Sequence, residues 1–264
     1  MLVKLLKYDL KYMIKNMSVF YILAIFFATT TRLLNNIDQS VIVGIIAKIS
    51  LGTMVAMLFN ILINTMIRSW IRFRDSLYKD ESYLTHTLPV TKNDLYNSKF
   101  LQALIFFFVG FLFIIASLFI AFYSKENWVV ITNYIRKITI GLNMKTAFFV
   151  AITLVLIFLE VFNAIQCGFL GITLGHRRNN GKIGFSVIFG FIIYLLAQTI
   201  ILGLVFVYGF FDSTVMELFK TAQVNIDVDA FKLLAVMSAA LYIFIILIMY
   251  LLCKAVLNKG VNVE

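Results

Sequence analysis

Six long apolar runs divide the chain, and polar segments separate them. The runs cover approximately residues 17–34, 49–67, 101–123, 146–174, 185–211 and 231–253. Each run is close to the roughly 20 residues that an α-helix needs to cross a bilayer. The runs are continuous and lack the alternating pattern of membrane-barrel strands. The pattern therefore predicts an all-α, polytopic membrane protein with six transmembrane helices in a single transmembrane domain, residues 1–264.

A basic amphipathic segment precedes the first apolar run. On a helical wheel its four lysines fall within an arc of about 80°, and apolar residues occupy the other side. Such a helix lies in the headgroup plane of a bilayer, so residues 1–16 are predicted to form an uncleaved interfacial helix. A second interfacial helix is predicted at residues 128–142, a run that is too short to span. The lysines of the first segment are Lys4, Lys7, Lys11 and Lys15.

Composition and charge agree with a membrane protein. Hydrophobic residues make up 62% of the chain and the mean hydropathy is +0.96, an apolar share well above that of soluble domains. With six spans, most of the 23 lysines and arginines fall on the side of the N-terminus. The positive-inside rule then predicts that both termini are cytoplasmic. Topology and anionic headgroups account for the net charge of +10, and we expect no nucleic-acid partner.

Residues 68–100 form a polar segment between the second and third apolar runs, and we expect it to work in water on the cytoplasmic side. Pro89 rules out one continuous helix, because proline lacks an N–H donor and biases Leu88 towards extended geometry. Thr91 is placed to cap a new helix that has Asp94 at its third position and continues into the third span. The segment is therefore predicted to contain a short helix, an extended turn and a second helix start.

The same segment carries more apolar bulk than a solvated connector needs. We expect these side chains to pack against other groups, although a simple connector remains the alternative. They are Trp70, Phe73, Tyr78, Tyr83 and Leu84.

Two spans have polar or small residues along one face. In the second span this face includes Asn60 and Asn64. In the fourth, Gly171 and Gly175 form a minimal small-xxx-small pattern, which favours close helix packing. The fourth-span candidates for the transport path or a helix interface are Glu160, Asn163, Gly168, Gly171 and Gly175.

Glu160 lies halfway along the fourth run, where an ionisable group is expensive and faces either a partner or a water-filled path. Two interpretations stay open. Glu160 can be a structural hydrogen-bond partner of a neighbouring helix, with Asn60 or Asn64 as suggested partners. It can instead belong to the transport path and tune the passage of a substrate.

Catalytic and metal-binding signatures are scarce. His86 and His176 each lack a second ligand at metal-site spacing, so no metal site is predicted. The stretch from Gly175 to Ile183 resembles a phosphate loop but fails, because five residues separate its glycines where four are needed and Ile183 replaces the magnesium-binding Ser or Thr. We therefore predict that this chain is not an enzyme and does not hydrolyse ATP.

The polar segment carries a family resemblance. The stretch YKDESYLTHTLPVT, residues 78–91, and the following Ser98-Lys99 resemble the loop after the second span in ABC-2 type transporter permeases of Gram-positive bacteria. The opening KLLKYDL, residues 4–10, and the six-span layout are similar as well. In that family this loop is the coupling element that docks on the ATPase, which implies a coupling role for Tyr78, Asp80, Glu81, Tyr83, Leu84, His86, Leu88 and Pro89.

The resemblance implies a permease subunit in a bacterial cell membrane that pairs with a separate ATP-binding cassette ATPase and a second permease copy, identical or paralogous. ATP and magnesium would belong to the ATPase, and this chain would hold no cofactor. The implied activity is export of a peptide, antibiotic or other amphiphile. Related permeases place short re-entrant or extracellular helices where this chain has residues 212–230, although the acidic charge here disfavours re-entry. Two alternatives are a stand-alone secondary transporter with Glu160 as its coupling carboxylate, and an intramembrane enzyme, for which a reacting pair of groups is missing.

Overall fold

The computed structural model describes residues 1–37, 40–79, 81–141, 144–211, 215–216 and 228–260. Within these residues the regular secondary structure is helical. Six of the described helices are long and apolar enough to cross a membrane, namely Leu2–Asn35, Val41–Leu77, Lys92–Phe122, Thr146–Gly175, Lys182–Gly209 and Phe231–Asn258. The predicted all-α class with six spans is therefore confirmed, and the chain is a multi-pass membrane protein. The helices are α1 (Leu2–Asn35), α2 (Val41–Leu77), α3 (Ser82–Thr87), α4 (Lys92–Phe122), α5 (Lys125–Gly141), α6 (Thr146–Gly175), α7 (Lys182–Gly209) and α8 (Val228–Asn258).

The helices form two compact units, a subdivision that the sequence does not indicate. Unit 1 contains α1 to α4 and the start of α5, within Met1–Val129, and unit 2 contains the rest of α5 and α6 to α8, within Val130–Asn262. In unit 1, α1 packs against both α2 and α4, and in unit 2, α6 packs against both α7 and α8. Most of residues 212–230, where the sequence left re-entry into the membrane open, lie outside the described residues.

Residues 1–16 do not form a helix separate from the first span. They are the first turns of α1, which continues without interruption to Asn35. The reason is that one buried face, with Asp9, Met13 and Met17 at four-residue intervals, runs across the predicted boundary. The expected division into an interfacial helix and a span is corrected accordingly. The opposite face of these turns is exposed and carries Lys4, Lys7, Lys11 and Lys15.

Helices α1, α2 and α4 extend beyond their apolar runs at the same end of unit 1. The extensions are residues 2–16, 68–77 and 92–100, which correspond to about 22, 15 and 14 Å of helix. We call these three extensions the stalk. Much of the predicted loop 68–100 is thus a continuation of two spans, because buried side chains such as Phe73 and Tyr96 keep both helices packed. The connection itself is reduced to residues 78–91.

This connection has the predicted course. The short helix α3 ends before Leu88, whose φ of −66° and ψ of 143° are extended, as expected for the residue before Pro89. The backbone N–H of Asp94 donates to Thr91 Oγ1 at 3.1 Å, so Thr91 caps α4. The predicted break at Pro89 and the predicted helix start at Thr91 are both confirmed.

Helices α6 and α7 approach each other more closely than side chains allow. A Cβ atom built on Gly171 would lie 2.5 Å from the Cα of Gly190, and one built on Gly175 would lie 2.5 Å from the backbone N of Ser186. The Cα of Gly168 lies in the same contact, 3.7 Å from a Cβ built on Gly190. The small residues of α6 therefore bring two backbones into contact, as in other small-xxx-small interfaces.

Candidate functional site

An ion network fills the core of the stalk. Asp9 of α1 is only 2% exposed, and one of its carboxylate oxygens accepts from Arg72 Nε of α2 at 2.9 Å and from Lys99 Nζ of α4 at 2.5 Å. The other oxygen accepts from Ser98 Oγ of α4 at 3.0 Å. The carboxylate of α1 is thus paired with one cation from α2 and one from α4.

Among the described residues, the charges of the network balance when Glu81, the residue before α3, is counted with it. Asp9 is one anion facing two cations, and the second anion is Glu81, whose Oε2 accepts from Arg72 Nη1 at 2.5 Å. The Arg72 guanidinium also lies 4.8 Å from the ring centre of Tyr12, a favourable cation–π arrangement. Glu81 immediately precedes α3, and its side chain is 53% exposed. Arg72 therefore joins the buried core of the stalk to the start of the connecting helix.

Two further contacts hold the connection against the stalk. The His86 ring Nε2 lies 3.1 Å from the carbonyl oxygen of Leu77, the last residue of α2. Tyr78 is buried, and its ring centre lies 6.3 Å from that of Phe73. The prediction that the apolar side chains pack is confirmed for Phe73 and Tyr78. Of the predicted coupling residues, Tyr78, Glu81 and His86 thus anchor the connection.

Four of the other predicted coupling residues are exposed. Tyr83 is 64% exposed and Leu84 is 75% exposed, so for these two residues the expectation of packing against other groups stays a prediction. Leu88 and Pro89 are exposed as well. We call Tyr83, Leu84, Leu88 and Pro89 the α3 face. Asp80, the remaining coupling candidate, lies outside the described residues.

Sequence reasoning did not single out Asp9, Arg72, Ser98 and Lys99 as a site. Asp9 belongs to the opening KLLKYDL motif, Ser98 and Lys99 belong to the family resemblance, and Arg72 is a basic residue of the polar segment, but no contact among them was predicted. A signal for Asp9 was present, because it lies opposite the lysines on the helical wheel, in the middle of the apolar arc. An acidic residue in such a place indicates a buried partner of opposite charge. The identity of the two cations could not be read from the local pattern.

A second polar cluster surrounds Glu160 in unit 2. Its Oε1 accepts from Tyr194 Oη and from Gln198 Nε2 of α7, each at 2.7 Å. Its Oε2 accepts from Tyr242 Oη of α8. Glu160 therefore joins α6 to α7 and α8, and its partners are not the asparagines suggested by the sequence. Tyrosine and glutamine side chains inside apolar runs were the signal that could have indicated these partners.

The remaining candidate pathway residues lie in different surroundings. On α2, the Asn64 side chain donates to the Asn60 carbonyl oxygen at 3.0 Å and lies 3.4 Å from its Oδ1. Asn163, one turn from Glu160 on α6, is fully buried, and its Nδ2 has no hydrogen-bond partner among the described atoms. Gly168, Gly171 and Gly175 lie in the backbone contact with α7. On α6, the face proposed from the sequence therefore has two parts: its glycines pack against α7, and Glu160 belongs to the polar cluster.

The described part of the chain contains two arrangements with chemical consequences, the ion network with its adjoining α3 face and the Glu160 cluster. Comparison with models of known protein families, with curated proteins and with solved structures finds no match.

Proposed function

We propose that this protein is the transmembrane permease subunit of an ATP-binding cassette exporter and that a separate ATPase subunit docks on the α3 face. The observation that carries the proposal is the combination of an exposed apolar α3 face with a short helix that is tied to the stalk. A docking element must offer apolar side chains to its partner and must also be mechanically connected to the spans. Tyr83 and Leu84 satisfy the first condition, and the Arg72 contacts with Asp9 and Glu81 satisfy the second.

The resemblance of residues 78–91 to the coupling loop of ABC-2 permeases supports the same function. In this proposal the ATPase supplies the energy by binding and hydrolysing ATP with magnesium. This chain, which is not itself an enzyme, supplies the substrate path and transmits the movement of the ATPase to the spans through the stalk. Two permease copies would share the path across a bacterial cell membrane. Both termini and the stalk would be cytoplasmic, as the distribution of lysine and arginine favours. The exported compound would be a peptide, an antibiotic or another amphiphile.

The alternative, a stand-alone secondary transporter, rests on Glu160. The observation that favours this alternative is that the Glu160 carboxylate lies near the middle of α6 and accepts hydrogen bonds from two other helices. A coupling carboxylate of this kind would make transport depend on an ion gradient and independent of any ATPase. The tied α3 face has no role in that function, and we therefore favour the permease.

Leu84→Asp is expected to weaken the binding of the ATPase by at least about tenfold, because the most exposed apolar residue of the α3 face would bring an unpaired charge into the interface. The measurement is co-purification of the tagged chain with candidate ATP-binding cassette subunits, followed by the rate of ATP hydrolysis of each complex. The matched control is Ile138→Asp, the same change of chemistry on the exposed surface of α5, which should co-purify as wild type.

A photo-crosslinking amino acid at position 84 should also capture the ATPase, whereas one at position 138 should not. If Leu84→Asp co-purifies as well as wild type, the α3 face is not the docking element. If transport proceeds in vesicles without any ATPase and follows an ion gradient, the secondary-transporter alternative replaces the permease.

A further inference from the structure

We propose that Glu160, together with Tyr194, Gln198 and Tyr242, binds the positively charged end of an amphiphile, an ammonium or guanidinium group. The proposal rests on the proposed function, since it names the class of compound that the permease would carry. It concerns unit 2 alone and does not require contact with the ATPase.

The first argument is the charge of Glu160. Among the described residues, the groups that bond to its carboxylate are two hydroxyls and one amide, so these bonds supply no positive charge. A carboxylate at span depth that lacks a cation is unfavourable in a bilayer. Bound amphiphilic cations would neutralise it with a charge-assisted hydrogen bond, which is stronger than a bond between neutral groups.

The second argument is that helix joining does not need a carboxylate. A glutamine at position 160 could accept from Tyr194 and Gln198 through its carbonyl oxygen and donate to the Tyr242 hydroxyl. It would connect the same three helices without the cost of a charge in the membrane. What the carboxylate adds to such a connection is attraction for a cation.

The third argument is the position of the cluster. Glu160 is near the middle of α6, Tyr194 and Gln198 lie in the central part of α7, and Tyr242 is near the middle of α8. Binding sites in membrane transport proteins lie near this depth. Glu160, Tyr194 and Gln198 are only partly buried, so a ligand can reach the carboxylate without unpacking α6 from α7.

The fourth argument is the chemistry of the surrounding groups. Tyrosine rings attract ammonium and guanidinium ions through their π-faces. Their hydroxyls can rotate from donating to the carboxylate to accepting from the ligand. The Gln198 amide offers a carbonyl oxygen for the same purpose. The cluster can therefore exchange its internal hydrogen bonds for bonds to a cation and leave no buried group unsatisfied.

The test uses the purified full chain in nanodiscs of zwitterionic lipid, without an ATPase. Radiolabelled dodecylammonium is the probe, dodecyl sulfate is the anionic comparison, and empty nanodiscs give the partition background. We expect saturable binding of dodecylammonium to the wild-type chain and none of dodecyl sulfate. Glu160→Gln should weaken that binding by at least about tenfold, or 1.4 kcal/mol, and Glu160→Asp should retain part of it. The matched control is Glu126→Gln on the exposed surface of α5, which should bind as wild type.

Tyr194→Phe distinguishes a role of the cluster in ligand binding from a purely structural role in holding α6, α7 and α8 together. It removes a hydroxyl that would accept from the ligand but keeps the charge and the ring, so it should weaken dodecylammonium binding by a smaller factor than Glu160→Gln does. If Glu160→Gln binds as wild type, or if dodecyl sulfate binds equally well, the proposal is overturned. Equal losses of binding and melting temperature in Glu160→Gln and Tyr194→Phe would likewise overturn it, since they would mark a purely structural cluster. None of these outcomes depends on ATPase docking. The cation-binding proposal can therefore fail while the Leu84→Asp prediction of weakened ATPase binding is confirmed, and the reverse can also occur.

Discussion

Asp9→Asn is expected to lower the free energy of unfolding by about 3–5 kcal/mol, the range for removing one member of a buried ion pair. Lys99 is 4% exposed and Arg72 is partly buried, and the substitution leaves both cations without the carboxylate that they share. The asparagine amide also places donor hydrogens where Lys99 Nζ now donates. The measurement is the melting temperature and the denaturant midpoint of the purified chain in mild detergent, together with its yield from membranes.

The matched control for this prediction is Asp75→Asn. Asp75 pairs with its neighbour Arg74 at 2.8 Å, but both side chains are partly exposed, so the loss should stay below about 1 kcal/mol. The double variant Asp9→Asn/Lys99→Met should regain part of the stability, because an apolar side chain replaces an unpaired buried cation. If Asp9→Asn and Asp75→Asn lose the same stability, the ion network does not hold the stalk together.

Gly171→Leu is expected to be the most damaging change in unit 2. Even a Cβ atom at this position would lie 2.5 Å from both the Cα and the N of Gly190, and a backbone cannot move aside as a flexible side chain can. Overpacking in a tight interface typically costs about 1–3 kcal/mol and occasionally more. We expect Gly171→Leu to exceed this range and Gly171→Ala to fall within it. Thermal unfolding of the detergent-solubilised chain is the measurement.

Two other glycines calibrate this prediction. A Cβ on Gly190 would meet the carbonyl oxygen of Cys167 at 3.5 Å, which is ordinary contact, so Gly190→Ala should cost less than Gly171→Ala. Gly184, in the first turn of α7, has no neighbour within 4 Å of a built Cβ. Gly184→Ala should therefore be neutral or stabilise the helix by up to about 1 kcal/mol. Equal losses at the three positions would contradict the backbone contact between α6 and α7.

The spans were predictable because they depend on local chemistry. Bilayer thickness sets the length of an apolar run, and Pro89 and Thr91 act through the geometry of the neighbouring backbone. The length of α1 was not predictable in this way. The lysines of residues 1–16 indicated a surface helix, but its position is decided by Asp9 and Met13, whose partners lie on helices distant in sequence.

The candidate sites show the same limit. The sequence correctly selected Glu160 as unusual, since one acid in an apolar run needs a partner. It could not supply Tyr194 or Tyr242, because each lies more than thirty residues away and a hydroxyl inside a span satisfies many roles. Leu84 shows a further limit: apolar bulk in a polar segment indicates that a side chain packs against something but does not identify the partner, and Leu84 is 75% exposed.

The backbone contact between α6 and α7 restricts which motions unit 2 can make. Two helices whose glycines touch cannot slide past each other without first separating, so α6 and α7 should move as one rigid body. The contact between α6 and α8 includes groups that tolerate displacement, with Cys167 Sγ 3.7 Å from Met249 Sδ and the Glu160 carboxylate bonded to the Tyr242 hydroxyl. Thioether packing and hydroxyl bonds can re-form after a small shift. We therefore expect small shifts within unit 2 to occur between the α6–α7 pair and α8, and not between α6 and α7.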